Sequence, residues 1–85
     1  MTNNMTITVL FFGPLVDLFS TAEKTFSCPE RKTASEILDL LVAQAGLSEV
    51  RRLPLRFAVN DEFAGATVVL KDGDTLALLP PVSGG

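Results

Sequence analysis

The segment of this chain best suited to chemistry is its end, Pro80-Pro81-Val82-Ser83-Gly84-Gly85. Two successive prolines cannot donate to a sheet ladder and hold the backbone in polyproline geometry, so they aim the chain away from whatever precedes them. Glycines lack a Cβ, can thread a narrow channel and let another backbone come close. Six residues in extended form reach about 20 Å. A frayed terminus is the bland account of such a segment. Fraying, however, requires neither two prolines to aim the chain nor two glycines to end it. The carboxylate of Gly85 then becomes a handle for chemistry performed by other proteins.

Elsewhere there is little for catalysis to use. The chain has no histidine and one cysteine, Cys28. No Ser-His or Cys-His pair can form, and no zinc site of the usual kind is expected. Cys28 sits on an apolar-looking strand with Arg31 and Lys32 in the loop beyond it, which fits a half-buried structural thiol better than a reactive one. Asp72 and Asp74 flank Gly73. Turn chemistry accounts for them, and the spacing of a calcium loop is absent. Asp61-Glu62 reads as a solvated turn. Arg51-Arg52 reads as a solvated face, with a salt bridge to a partner as the alternative. No metal and no bound cofactor are expected.

Eighty-five residues make one domain with a net stability of about 5–10 kcal/mol. Apolar residues are 47% and charged residues 20%, a balance that favours a folded globule. Seven basic against ten acidic residues give a net charge of −3, and the aromatics are six Phe. With no basic stripe beside an aromatic platform, nucleic-acid binding is not expected. A lone thiol suits a reducing compartment. The polar start, Met1-Thr2-Asn3-Asn4, has no basic region before an apolar run. The longest apolar stretch, 9–16, is broken by Gly13-Pro14 and is too short to span a bilayer. A cytoplasmic protein without a membrane segment is the expectation.

The elements that must position the tail follow from periodicity. Residues 6–12 are rich in β-branched and aromatic types and read as a strand that Gly13-Pro14 ends. Pro14 suits the first position of a short helical turn carrying Leu15, Leu18 and Phe19. Residues 24–28 read as a second strand stopped by Pro29. The strongest signal is a helix over 33–45. Thr33 and Glu36 form a capping box, Ala34, Ile37, Leu38, Leu41 and Ala45 recur at helical spacing, and Gly46 stands at the C′ position. A connection over 47–54, with room for a helical turn, leads to a strand over 56–60. Asn60-Asp61 is a turn, 67–70 a short strand, and Asp72-Gly73 a hairpin signal before the last strand, 75–79.

One amphipathic helix must bury its stripe, and a sheet with one apolar face is the surface available. This order gives an α+β fold: a β-grasp roll in which a mixed sheet of four to five strands packs on one main helix. In that arrangement the first and last strands lie parallel at the centre. Residues 1–79 form the domain and 80–85 the extended tail. If Ile7, Val9 and Phe11 face the helix, alternation turns Leu10 and Phe12 away from it. Leu76 and Leu78 go inward and Leu79 outward. Phe12 and Leu79 then meet where the tail leaves, a candidate docking patch, unless the segment 13–19 folds over them.

The strand Val9-Leu10-Phe11-Phe12, the strand end Ala58-Val59-Asn60, the turn Asp72-Gly73-Asp74 and the run from Leu79 to Gly85 together resemble the small subunit of molybdopterin synthase, the MoaD family. The resemblance covers the chain from about Thr6 to Gly85. It implies a ubiquitin-like sulfur carrier, not itself catalytic. An adenylating and sulfurating enzyme would use ATP to adenylate Gly85, a nucleotide-dependent step, and convert it to a thiocarboxylate. The tail, Pro80 to Gly84, would then enter the large subunit, in a complex expected to be a heterotetramer. There it would deliver sulfur to cyclic pyranopterin monophosphate in molybdenum cofactor biosynthesis. Phe12, Phe63 and Leu79 match the family's apolar contacts with that subunit. Two positions depart from the pattern: Val16-Asp17 stands where Arg-Glu is frequent, and Leu79 where an aromatic is. Other readings stay open: a sulfur carrier for thiazole or cysteine synthesis, a protein modifier, or a plain binding adaptor.

Overall fold

The computed structural model describes residues 3–81. Five strands form one mixed sheet in the order β2-β1-β5-β3-β4. They are β1 (Asn4–Phe11), β2 (Glu23–Pro29), β3 (Arg56–Val59), β4 (Glu62–Ala64) and β5 (Thr75–Leu79). The central neighbours β1 and β5 are parallel, with Val9 opposite Leu76 and Phe11 opposite Leu78. The other pairs are antiparallel. The β-grasp expectation therefore holds, with five strands.

Strand alternation sets the two faces. Along β1, Met5, Ile7, Val9 and Phe11 are buried, and along β5 Leu76 and Leu78 are fully buried. These side chains meet Ala34, Ile37, Leu38, Leu41 and Val42 of the helix α2 (Ala34–Ala45) in one core. Each large side chain so buried contributes about 1.5–3 kcal/mol. Val42 belongs to the buried stripe and Ala45 does not, because the last turn of the helix runs past the edge of the core.

The helix begins at the expected capping box. The Glu36 amide donates to Thr33 Oγ1 at 3.2 Å, and the Thr33 amide donates to Glu36 Oε1 at 3.0 Å. Gly46 ends the helix in the left-handed region at φ 69°. A 3₁₀ turn, Ser48–Arg52, crosses to β3 and buries Val50. Asn60 and Asp61, at φ 50° and 71°, make a two-residue turn between β3 and β4, the geometry that matches strand twist.

Two sequence expectations fail here. Residues 67–70 form no strand; Val69 makes only an isolated bridge with Thr33. The segment instead serves the first turn of α2. The amides of Ala34 and Ser35 donate to the carbonyls of Val68 and Ala66, both at 3.0 Å, so helix-end donors take acceptors that a sheet would have used. Leu70 drops into the core from this segment. The fifth strand is β4, three residues immediately after the turn. Asp72-Gly73, in turn, does not close a hairpin. It binds β1, as described next.

Candidate functional site

The segment before β5 holds that strand's start in place. Asp72 Oδ1 accepts from the Thr6 amide at 2.7 Å, and the Gly73 amide donates to the Thr6 carbonyl at 2.8 Å. Asp74 Oδ2 accepts from the Lys71 amide, and Asp74 Oδ1 accepts from the Asn60 side chain at 3.0 Å. Asn60 Oδ1 in turn accepts from the Thr75 amide at 3.0 Å. Both carboxylates are spent on the backbone and on Asn60, which is the turn reading rather than the metal one. No cluster of three or more metal-ligating side chains occurs among the described residues.

Cys28 is 3% exposed on the inner face of β2, and burial pushes its thiol pKa up, with Lys32 pulling weakly the other way. A thiol in that state is poorly nucleophilic. Arg51 pairs with Asp39 of α2, so it braces the 3₁₀ turn against the helix.

The opposite end of β1 and β5 is apolar. Gly13 follows Phe12 at φ 58°, ψ −136°, a backbone conformation that side chains disfavour, and Pro14 starts the short helix α1 (Pro14–Phe19). Helix α1 packs on the inner side of the sheet. Leu15 is buried there, and Phe19 stacks on Phe11 with ring centroids 4.4 Å apart. It therefore leaves the outer side open. Phe12 remains 44% exposed and Phe63, on β4, 76% exposed.

Phe12, Phe63 and Leu79 come together with Pro54, Arg56, Pro80 and Pro81 around an open groove of about 700 Å³. All three expected contact residues thus border one depression at the root of the tail. In the register, Ala58 lies opposite Ala77 of β5 on one side and Phe63 of β4 on the other. Gly13 closes on the tail itself, since a Cβ at that position would stand 3.1 Å from Pro80 Cγ. Of the tail expectations, Pro80 and Pro81 lie past the end of β5, while Val82, Ser83, Gly84 and Gly85 fall outside the described residues.

Gly13, Pro54 and Arg56 belong to this site and were not singled out from the sequence. Alternation around Phe57 places Arg56 on the outer face, but only the pairing of Arg56 with Leu79 brings it beside the tail. That register joins residues 23 positions apart and has no local signal.

The sequence profile of the ThiS family matches residues 9–85. A molybdopterin synthase sulfur carrier subunit from Drosophila erecta is 41% identical over 80 residues, covering 91% of this chain and 88% of the relative. Among solved structures, a complex of subunits 1 and 2 of molybdopterin-converting factor from Helicobacter pylori contains a chain similar to this one. Its TM-score is 0.62 at 34% identity, covering 95% of this chain and 100% of that one. Small archaeal modifier protein 1 from Haloferax volcanii shares the fold, with a TM-score of 0.81 at 23% identity over 92% of this chain and 99% of that one.

Proposed function

The chain belongs to the ThiS family, and from that premise we propose that it is the sulfur carrier subunit of a molybdopterin synthase. The observation that carries the reading is the groove at the root of the tail, where Phe12 and Phe63 stand exposed and Leu79 half-buried beside Pro80 and Pro81. Phe63 is 76% exposed and Phe12 44%, and apolar side chains gathered into one patch mark an interaction site where scattered ones do not. Capping that groove removes apolar surface from water and fixes where the tail enters a partner. The partner is the large subunit of the synthase, by analogy with the two-subunit Helicobacter pylori complex.

The chemistry resides at Gly85. Its carboxylate attacks the α-phosphorus of ATP in an activating enzyme, pyrophosphate leaves, and an inert carboxylate becomes an acyl group with a good leaving group. A sulfur donor replaces AMP to give the thiocarboxylate, which the large subunit uses to sulfurate cyclic pyranopterin monophosphate. ATP is thus consumed on the activating enzyme and is not a resident cofactor of this chain. The domain supplies rigidity, a docking surface and an aimed tail. No histidine and no reactive thiol are needed for that division of labour.

Deletion of Gly85 tests the proposal. It retains a carboxylate but shortens the arm by about 3.5 Å, and a misplacement of that size costs about a hundredfold or more where reacting groups must meet in near-attack geometry. The truncated chain, mixed with activating enzyme, ATP, sulfur donor, large subunit and pterin precursor, is expected to bind the large subunit normally and to form no product. Normal product would refute the carrier reading.

A further inference from the structure

The docking groove is apolar except for one charge. Arg56 stands on its wall, opposite Leu79 in the β3–β5 register and next to Pro54 in the lining. With Phe63, it also borders the neighbouring groove formed against Ala64, so both residues lie where the two depressions adjoin. Among the described residues the single ion pair is Arg51 with Asp39, and Arg56 has no carboxylate partner.

The sequence around it is locally basic in an acidic protein. Three of the seven cationic residues, Arg51, Arg52 and Arg56, fall within six positions, and no acidic residue intervenes between Glu49 and Asp61. The chain as a whole carries −3. Arg51 is already engaged. Among the described residues, Arg56 is therefore the cation that borders the groove without a counter-charge.

From this placement we infer that Arg56 determines specificity at the docking surface by receiving a carboxylate of the large subunit. The occupant of the groove is a segment of that subunit carrying an apolar side chain with an Asp, a Glu or a terminal carboxylate beside it. This rests on the docking reading above and adds a charge to it. The apolar side chain fills the space between Phe12, Phe63 and Leu79, and the carboxylate meets the guanidinium where the two depressions adjoin. A guanidinium presents a fork of N–H donors that matches a carboxylate in two parallel hydrogen bonds, which a lysine in its place would not reproduce. Pairs at the margin of an interface act mainly on partner choice and association rate and weaken with salt. Binding through Arg56 therefore weakens as salt rises, whereas apolar docking alone does not.

The test measures affinity of the full chain for the purified large subunit at low and high salt, for wild type, Arg56→Leu, Arg56→Glu and Phe12→Asp. Arg56 is exposed, and circular dichroism with thermal melting checks that each variant is folded. Arg56→Leu, which keeps apolar bulk, is expected to bind about tenfold more weakly at low salt and to match wild type at high salt, where the screening length shrinks to a few ångströms. Arg56→Glu is expected to lose about a hundredfold at low salt and to regain most of it when one carboxylate of the large subunit is changed to arginine. Wild-type affinity and salt dependence in both Arg56 variants, with binding lost in Phe12→Asp, would overturn the inference and leave the docking reading intact. An equal loss at both salt concentrations, with no rescue by charge reversal, would also overturn it, by showing that the stem and not the charge makes the contact. If Phe12→Asp binds like wild type as well, the docking reading itself falls.

Discussion

At one end of the β1–β5 pair, Asp72, Asp74 and Asn60 satisfy the amides of Thr6, Lys71 and Thr75 and join three strands and a turn. At the other end, Phe12, just past β1, and Leu79 of β5 border a groove that no other described element covers. The strands are continuous from one end to the other, so the difference lies only in what their ends are given to bind. The polar end has its partners within the chain, and what it contributes is stability. The apolar end lacks them among the described residues, and the proposed function assigns it association. A charged cluster beside a glycine turn draws attention as a possible site, but here its hydrogen bonds are already made. Surface apolar residues draw less attention, yet they are the ones left without neighbours.

That contrast can be broken at either end. The largest effect is expected from Phe12→Asp, alone or with Phe63→Asp. Replacing the apolar contact by a carboxylate in the groove should weaken binding to the large subunit about a hundredfold or more, with little change in melting temperature because neither side chain is in the core. A large fall in melting temperature with unchanged affinity per folded molecule would reverse the assignment of the two ends. Asp74→Ala should do the opposite. It removes the acceptor for the Lys71 amide and for Asn60 and should cost about 2 kcal/mol in denaturant unfolding, with unchanged affinity for the partner.

Smaller effects sharpen the comparison. Cys28→Ser places a hydroxyl among apolar neighbours and should cost about 1–3 kcal/mol while leaving carrier activity per folded molecule intact. Loss of activity in a folded Cys28→Ser protein would give the thiol a role at neither end. The smallest effect concerns pH. Glu36 has its pKa held below the ordinary 4.5, first by the hydrogen bond from the Thr33 amide and then by the Thr33 hydroxyl. A lowered folded-state pKa means the stabilisation is present above about pH 4.5 and fades as pH falls through the folded value. Amide protection at the start of α2, taken relative to the intrinsic exchange rate at each pH, should therefore fall on acidification in wild type and change less in Glu36→Gln, which keeps the capping geometry without the titration.

Local rules made much of this molecule readable in advance. Thr33, Glu36 and Gly46 marked the ends of α2, the alternation of β1 separated Phe11 from Phe12, and Gly13-Pro14 ended the first strand. What escaped were features settled by contacts distant in sequence. The run 67–70 has strand propensity, but the Ala34 amide at the start of α2 took the Val68 carbonyl, and the Leu70 amide donates to Lys32. Asp72-Gly73 has hairpin composition, but Thr6, 66 positions away, took its hydrogen bonds. The site was readable for the same reason and to the same extent. Phe12 and Leu79 follow from alternation. Arg56 and Pro54 join them only through the β3–β5 register.

The contact of Gly13 with Pro80 has a consequence for engineering. With no Cβ, Gly13 lets the first loop lie against the tail's second-to-last described residue, and any side chain there would meet Pro80 Cγ at 3.1 Å while also opposing the backbone at φ 58°. The direction in which the tail departs is thus encoded near residue 13 as well as near residue 80. The tail is not a transplantable cassette: a chimera that grafts 79–85 onto another scaffold inherits the tail's sequence but not its bearing, unless the recipient also brings a glycine loop to the same place.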